Sequence, residues 1–145
     1  MAMKLSTGKV AFPIEFDNGD KDVIYFNPAD PDLMRRFHDF ENNLAKKMNE
    51  MKDFELNEEG QPKEAVYVKE YQLMLDVFCK ELDYALGGEI SKVVFKYCSP
   101  LAIVNGEFFV VQFIRAILPE IEKHVKKAID TKNKKCDKYL KKYEK

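Results

Sequence analysis

Long apolar runs are missing from this chain. No stretch reaches the roughly 18 to 20 residues that a membrane helix needs, and the first residues lack the charged, apolar and small-residue segments of a signal peptide. A cytoplasmic protein without membrane contact is expected. Cysteine is scarce: Cys79, Cys98 and Cys136 are odd in number and far apart, which excludes both a disulfide framework and a C-x-x-C metal motif. Histidine occurs only as His38 and His124, neither with a second His or Cys at i+3 or i+4 to make a site, so zinc binding and histidine acid-base chemistry have no constellation to work from. Solvated surface roles are expected for both. There is also no internal repeat, no Pro-rich or Ser-rich linker and no sustained heptad.

What remains is 145 residues with 46% apolar and 34% charged side chains, enough for one domain with a sizeable core. The net charge of -1 conceals an asymmetry. Residues 123–145 carry ten lysines against Asp130, Asp137 and Glu144, a local charge of +7, and the rest of the chain carries -8. An acidic body with a basic C-terminal arm suits an acidic partner.

Val10, Phe12, Ile14 and Phe16 alternate as a half-buried strand does. Asp17-Asn18-Gly19 closes a hairpin as a three-residue loop, with Gly19 left-handed at its third position. That register pairs Phe16 with Asp20, Phe12 with Ile24 and Val10 with Phe26. A two-residue Asn18-Gly19 loop would set Ile24 and Phe26 on the face opposite Phe12. Pro13 has no amide to donate, which predicts an open edge there and a candidate contact for another strand.

Asp30 as N-cap and Pro31 at the first helical position open a helix over 31–53. Leu33, Phe37, Phe40, Leu44, Met48 and Met51 form its apolar stripe, with Arg35, Arg36, Asp39, Lys46 and Lys47 on a solvated face. The polar, Gly- and Pro-containing run 57–62 reads as a loop. A second helix, 63–86, carries Tyr67, Tyr71, Met74, Leu75, Phe78, Leu82 and Leu86, and stops at Gly87-Gly88. A short amphipathic helix follows over 89–98. Asn105-Gly106 marks a turn, and a long helix over 107–130 carries Val110, Ile114, Ile117, Ile121, Val125 and Ala128. Pro119 should bend or restart it. Residues 131–145 read as a lysine-rich tail.

The expectation is therefore a mainly helical α+β domain over 1–130: an N-terminal hairpin (9–26), four helices and the tail. Its core is expected to hold Phe12, Ile14, Ile24, Phe26, Phe37, Phe40, Leu44, Tyr71, Leu75, Phe78, Leu82, Val110, Ile114, Ile117 and Ile121. Replacing Ile114 by Asp should unfold it by burying an unpaired charge.

Carboxylate pairs do not assemble a hydrolase. Glu81 and Asp83, like Glu120 and Glu122, are two residues apart and point to different helix faces. Asp17, Asp20 and Asp22 lack the order of a calcium loop and are explained as turn residues. Gly87-Gly88 has neither the strand before it nor the Lys-Ser/Thr after it that a phosphate loop requires. Cys79 and Cys98 sit in apolar surroundings and read as core thiols, whereas Cys136 lies among lysines that would favour its thiolate. No enzyme activity and no cofactor are expected. The arm, with Lys132, Lys134, Lys135, Lys138, Lys141 and Lys142 interleaved with Tyr139 and Tyr143, admits three readings: a solvated frayed terminus, a surface for an acidic protein, or a phosphate-backbone contact.

One resemblance adds to this. The order hairpin, Pro-initiated helix, helix ending in Gly-Gly, compact step and long helix with a lysine-rich tail resembles the tail assembly chaperones of long-tailed bacteriophages and prophages. It is carried by Val10 to Leu44, with FPIEFDNGDKDVIYFNPADPDLMRRFHDFENNL (12–44) within it, and by Phe78 to Lys127, including FCKELDYALGGEISKVVFKYCSP (78–100) and FFVVQFIRAILPEIEKHVKK (108–127). The likeness lies in element order and pattern, without a diagnostic ligand motif. It implies a non-enzymatic protein of the bacterial host cytoplasm that binds the tape measure protein during tail morphogenesis, keeps it soluble and is absent from the mature virion. In that family a frameshifted longer form recruits tail tube protein, and this chain would be the short form. Met34, Met48, Met51 and Met74 could supply adaptable apolar surface for such binding, and core packing explains them equally. Copies could self-associate along a filament. Two other readings are a structural virion protein at the head-tail joint and a small nucleic-acid binding regulator acting through the arm.

Overall fold

The computed structural model describes residues 1–50 and 65–141, with Glu50 and residues 65–71 described as backbone alone. The chain opens with an antiparallel hairpin of β1 (Val10–Glu15) and β2 (Lys21–Phe26). Its register is the one the alternation requires, with Val10 opposite Phe26 and Phe12 opposite Ile24. The Phe16 amide donates to the Asp20 carbonyl at 2.8 Å and the Gly19 amide to the Phe16 carbonyl at 3.0 Å, with Gly19 at φ +88°. Hydrogen-bonded and non-bonded pairs alternate from there, so the nitrogen of Pro13 faces away from β2, where no amide is needed. Phe12, Ile24 and Phe26 are buried on one face, and the Phe12 and Phe26 rings stack at 4.3 Å.

Helix α1 (Pro31–Glu50) starts where Asp30 accepts the Asp32 amide at 3.0 Å. It buries Leu33, Phe37, Phe40 and Leu44. Helix α2 (Ala65–Leu86) packs beside it, burying Phe78, Leu82, Ala85 and Leu86. Two residues expected on the solvated face of α1 are drawn to α2 instead. Arg36 donates to the Ala85 carbonyl at the C-terminal end of α2 and lies over the Tyr84 ring, and Lys47 pairs with Glu81 at 3.6 Å over the Phe78 ring. Cations complement the negative end of a helix, and long side chains lay their stems on apolar surface while keeping the charge outside. These contacts also show that the two helices run antiparallel. The expected 51–53 end of α1, the 57–62 loop, residues 63 and 64 of the second helix, and the Tyr67 and Tyr71 side chains lie outside the described residues.

The helix expected over 89–98 is shorter, a single turn α3 (Ser91–Val94). Beyond it Lys96 and Tyr97 turn back to the first hairpin, where Lys96 pairs with Asp20 and Asp22 at 3.1 and 2.8 Å and Tyr97 donates to Asp20. A second hairpin follows that the sequence reading treated only as a turn. Strands β3 (Ile103–Val104) and β4 (Glu107–Phe108) flank Asn105 at φ +53° and Gly106 at φ +81°. Two consecutive positive φ values make the two-residue hairpin turn that Asn-Gly favours.

Helix α4 (Phe109–Lys141) then runs 33 residues. It begins two residues later than expected, because 107–108 are strand, and it continues eleven residues beyond 130, to the last described residue. No glycine or proline follows Pro119, and Lys138 and Lys141 in the last turn complement the helix dipole. Nor does Pro119 restart the helix. Its ring removes the bond to the Arg115 carbonyl, and both residues are exposed, so water can serve the freed group. The core-facing residues of α4 are Val110, Phe113, Ile117 and Ile121. Ile114, Ile14 and Leu75, expected in the core, are half-buried at its margin, and Leu33, Leu86, Ile90 and Leu101 complete the centre. Helices and hairpins thus share one core in a single α+β domain.

Candidate functional site

Helix periodicity and burial leave two rows of apolar side chains uncovered. On α2, Phe78, Leu82 and Leu86 face the core, and on the opposite side Leu73, Val77 and Tyr84, at spacings of four and seven, are 58%, 40% and 71% exposed. Lys80, also exposed, stands in the same row between Val77 and Tyr84. On α4 the last buried residue is Ile121, and 20 further residues carry the helix about 30 Å onward. Beyond Ala128 every described residue is exposed, including Ile129 and Leu140.

Where α4 leaves the body it passes the turn between β2 and α1, and the two enclose an open groove of about 710 Å³. Val10, Pro28 and Ala29 form one wall, and the turns of α4 from His124 to Cys136 form the other. Asn27 fixes the first wall: its amide nitrogen donates to the Thr7 carbonyl at 3.1 Å and its oxygen accepts the Ala29 amide at 3.0 Å. His124 is half-buried rather than solvated, with its ring edge-on to Phe12 at 5.0 Å. Lys127, Lys132 and Lys135 rim the groove.

The residues singled out from sequence distribute unevenly. Met34, Met48 and Met74 are half-buried and packed against the core, and none of them lines the groove. Met51 lies outside the described residues. Lys132 and Lys135 reach the groove, whereas Lys134, Lys138 and Lys141 are exposed elsewhere on α4, and Lys142 lies outside the described residues. His38 is exposed. Cys79 and Cys98 are half-buried, and burial pushes both thiols up. Cys136 is exposed and lines the groove.

Among the described residues, no three His, Cys, Asp or Glu side chains are grouped to hold a metal ion, and no helix is long and apolar enough to cross a membrane. The outward row of α2 and the placement of His124 were not identified from sequence. Leu73 and Val77 were legible as apolar residues off the main stripe. His124 gave no local signal, since its sequence neighbours are charged and its ring partner belongs to β1.

Compared with known protein families, curated proteins and solved structures, the chain matches none.

Proposed function

We propose that this chain is a non-enzymatic partner-binding protein, and specifically a tail assembly chaperone that covers apolar helical stretches of a tape measure protein during phage tail assembly. The observation that carries the reading is the outward row of α2, where Leu73 and Val77 are 58% and 40% exposed at helical spacing. Apolar patches of that kind mark interaction surfaces. A row repeating with the turn of a helix matches an amphipathic helix packed along it. The element order that resembles the tail assembly chaperones supplies the identity of the partner.

The test is affinity recovery of tagged protein from cells producing the phage, at about 0.1 M and about 1 M salt, where the screening length falls from about 10 Å to about 3 Å. Apolar recognition predicts a tape measure protein retained at both, and its loss with Leu73→Asp/Val77→Asp. Nucleic acid recovered alone and released by salt would replace the reading with a regulator acting through the lysines. The chain found in purified virions by mass spectrometry would replace it with a structural role at the head-tail joint.

A further inference from the structure

We propose that the groove between the β2–α1 turn and α4 is a docking site for an acidic, apolar peptide segment of a protein partner. The inference does not rest on the identity of the partner proposed above, and it concerns a different surface from the outward row of α2.

The chemistry of the groove selects its occupant. From His124 to Cys136 the α4 wall is about 18 Å long, enough for about twelve helical residues of a bound segment. Its volume of about 710 Å³ is that of a ligand site, but it is an open trough, which suits a chain passing through it. Apolar side chains line both walls, Val10 and Pro28 on one and Ala128 on the other. Asn27 and Thr131 already have partners within the protein. Asn27 is engaged with Thr7 and Ala29, and Thr131 donates to the Lys127 carbonyl at 3.0 Å. The charged groups of the lining are Lys127, Lys132 and Lys135, and no carboxylate is among the lining residues. Among the described residues, none of the three is in an ion pair.

A groove lined by apolar side chains and by lysines as its charged groups complements a segment with apolar side chains on one side and carboxylates on the other, and it opposes a basic one by like-charge repulsion. Single-stranded nucleic acid would meet the same cations. It binds best where flat aromatic rings are offered for stacking, and no Phe, Tyr or Trp lines this groove. Phe12, beside the His124 ring, is only 4% exposed and already stacked on Phe26.

The experiment is fluorescence anisotropy on the full chain with three labelled probes: a peptide of about twelve residues alternating Leu/Phe with Glu on two helical faces, its twin with Lys for every Glu, and a single-stranded DNA of the same length. Two variants accompany the parent. Lys127→Glu/Lys132→Glu/Lys135→Glu reverses the charge of the lining at side chains on the surface of α4, and Ala128→Trp fills the groove from the α4 wall without changing charge. Circular dichroism and urea unfolding verify that each folds. The expected result is binding of the Glu peptide alone, weakened about tenfold or more by either variant. Binding unaffected by the lysine reversal, or DNA bound more tightly than the Glu peptide, overturns the proposal. Loss in the lysine variant with a folded Ala128→Trp unchanged also overturns it, since the attraction then lies outside the groove. If Ala128→Trp does not fold, Thr131→Tyr on the same wall takes its place under the same criterion. Failure here together with retention of a partner by the Leu73/Val77 row leaves the proposed function standing and removes only the groove.

Discussion

Asp83 and Ser91 hold each other across the Gly87-Gly88 turn. One Asp83 carboxylate oxygen accepts the amides of Ile90 and Ser91 at 2.9 and 2.7 Å, and the other accepts the Ser91 hydroxyl at 2.8 Å. The Asp83 carbonyl accepts the amides of Gly87 and Gly88 as well. One residue therefore closes α2 with its backbone and opens α3 with its side chain. Gly87, at φ +76°, makes the reversal possible.

Replacing Asp83 by Ala leaves the Ser91 amide and hydroxyl without their acceptor, while the Ile90 amide keeps the Gly88 carbonyl at 3.1 Å, and Ser91 is a buried residue. The expected loss is about 1–3 kcal/mol in urea unfolding. Asp83→Asn keeps one acceptor oxygen and should lose less. Equal stability of parent and Asp83→Ala would show that water replaces the carboxylate without cost.

The helix face of α4 gives a second prediction. Phe113 is 8% exposed and faces the core, while Ile114, the residue expected there from sequence, is half-buried. Phe113→Ala should cost about 3–5 kcal/mol. Ile114→Ala should cost clearly less, and Ile114→Asp should leave a folded protein, against the expectation from sequence. Thermal unfolding of the three variants decides it; a larger loss at 114 than at 113 would reverse the assignment.

The first hairpin is clamped to the segment after α3 by charge, and this sets a pH window. The Tyr97 hydroxyl, and then the Lys96 ammonium, hold the Asp20 carboxyl below its ordinary 3.8; Lys96 does the same for Asp22. A lowered carboxylate stabilises the fold above its unfolded pKa, and the contribution disappears as pH falls through the lower folded value. Lys96 is raised from 10.5 by Asp22 and Asp20, and Tyr97 from 10.0 by Asp20. Their contributions are present below those values and are lost as pH rises through the raised ones. Midpoints of urea unfolding should be level between about pH 5 and 9 and fall on both sides. Asp20→Asn/Asp22→Asn should flatten the acid limb, and an unchanged limb would place the acid sensitivity elsewhere.

The register of β1 and β2 was readable because two local facts agree: alternation fixes which residues share a face, and Gly19 fixes the loop length. The second hairpin carried the same Asn-Gly signal, but its strands are two residues each, too short for a period to register. Phe113 and Ile114 stand in an apolar run, where a shift of one residue costs the pattern little, and only the packing of α4 against the body selects Phe113. The contacts that shape the candidate groove were less legible still. His124 meets Phe12, and Asn27 holds Thr7, through tertiary proximity that no local spacing encodes.

The last part of α4 gives the final prediction. Ile121 is its last buried residue, Val125 the last to pack on the core cluster, and from Ile129 onward every described side chain is exposed. Residues 131–141 therefore continue the helix without adding to the core, and their removal should change unfolding stability by no more than about 0.5 kcal/mol. The same truncation removes Lys132, Lys135 and Cys136, about half the length of the groove wall. A chain ending at Asp130 should thus unfold with the parent's midpoint and cooperativity while losing the Glu-rich peptide. A large drop in stability would mean that residues 131–141 pack on the body and add to the core.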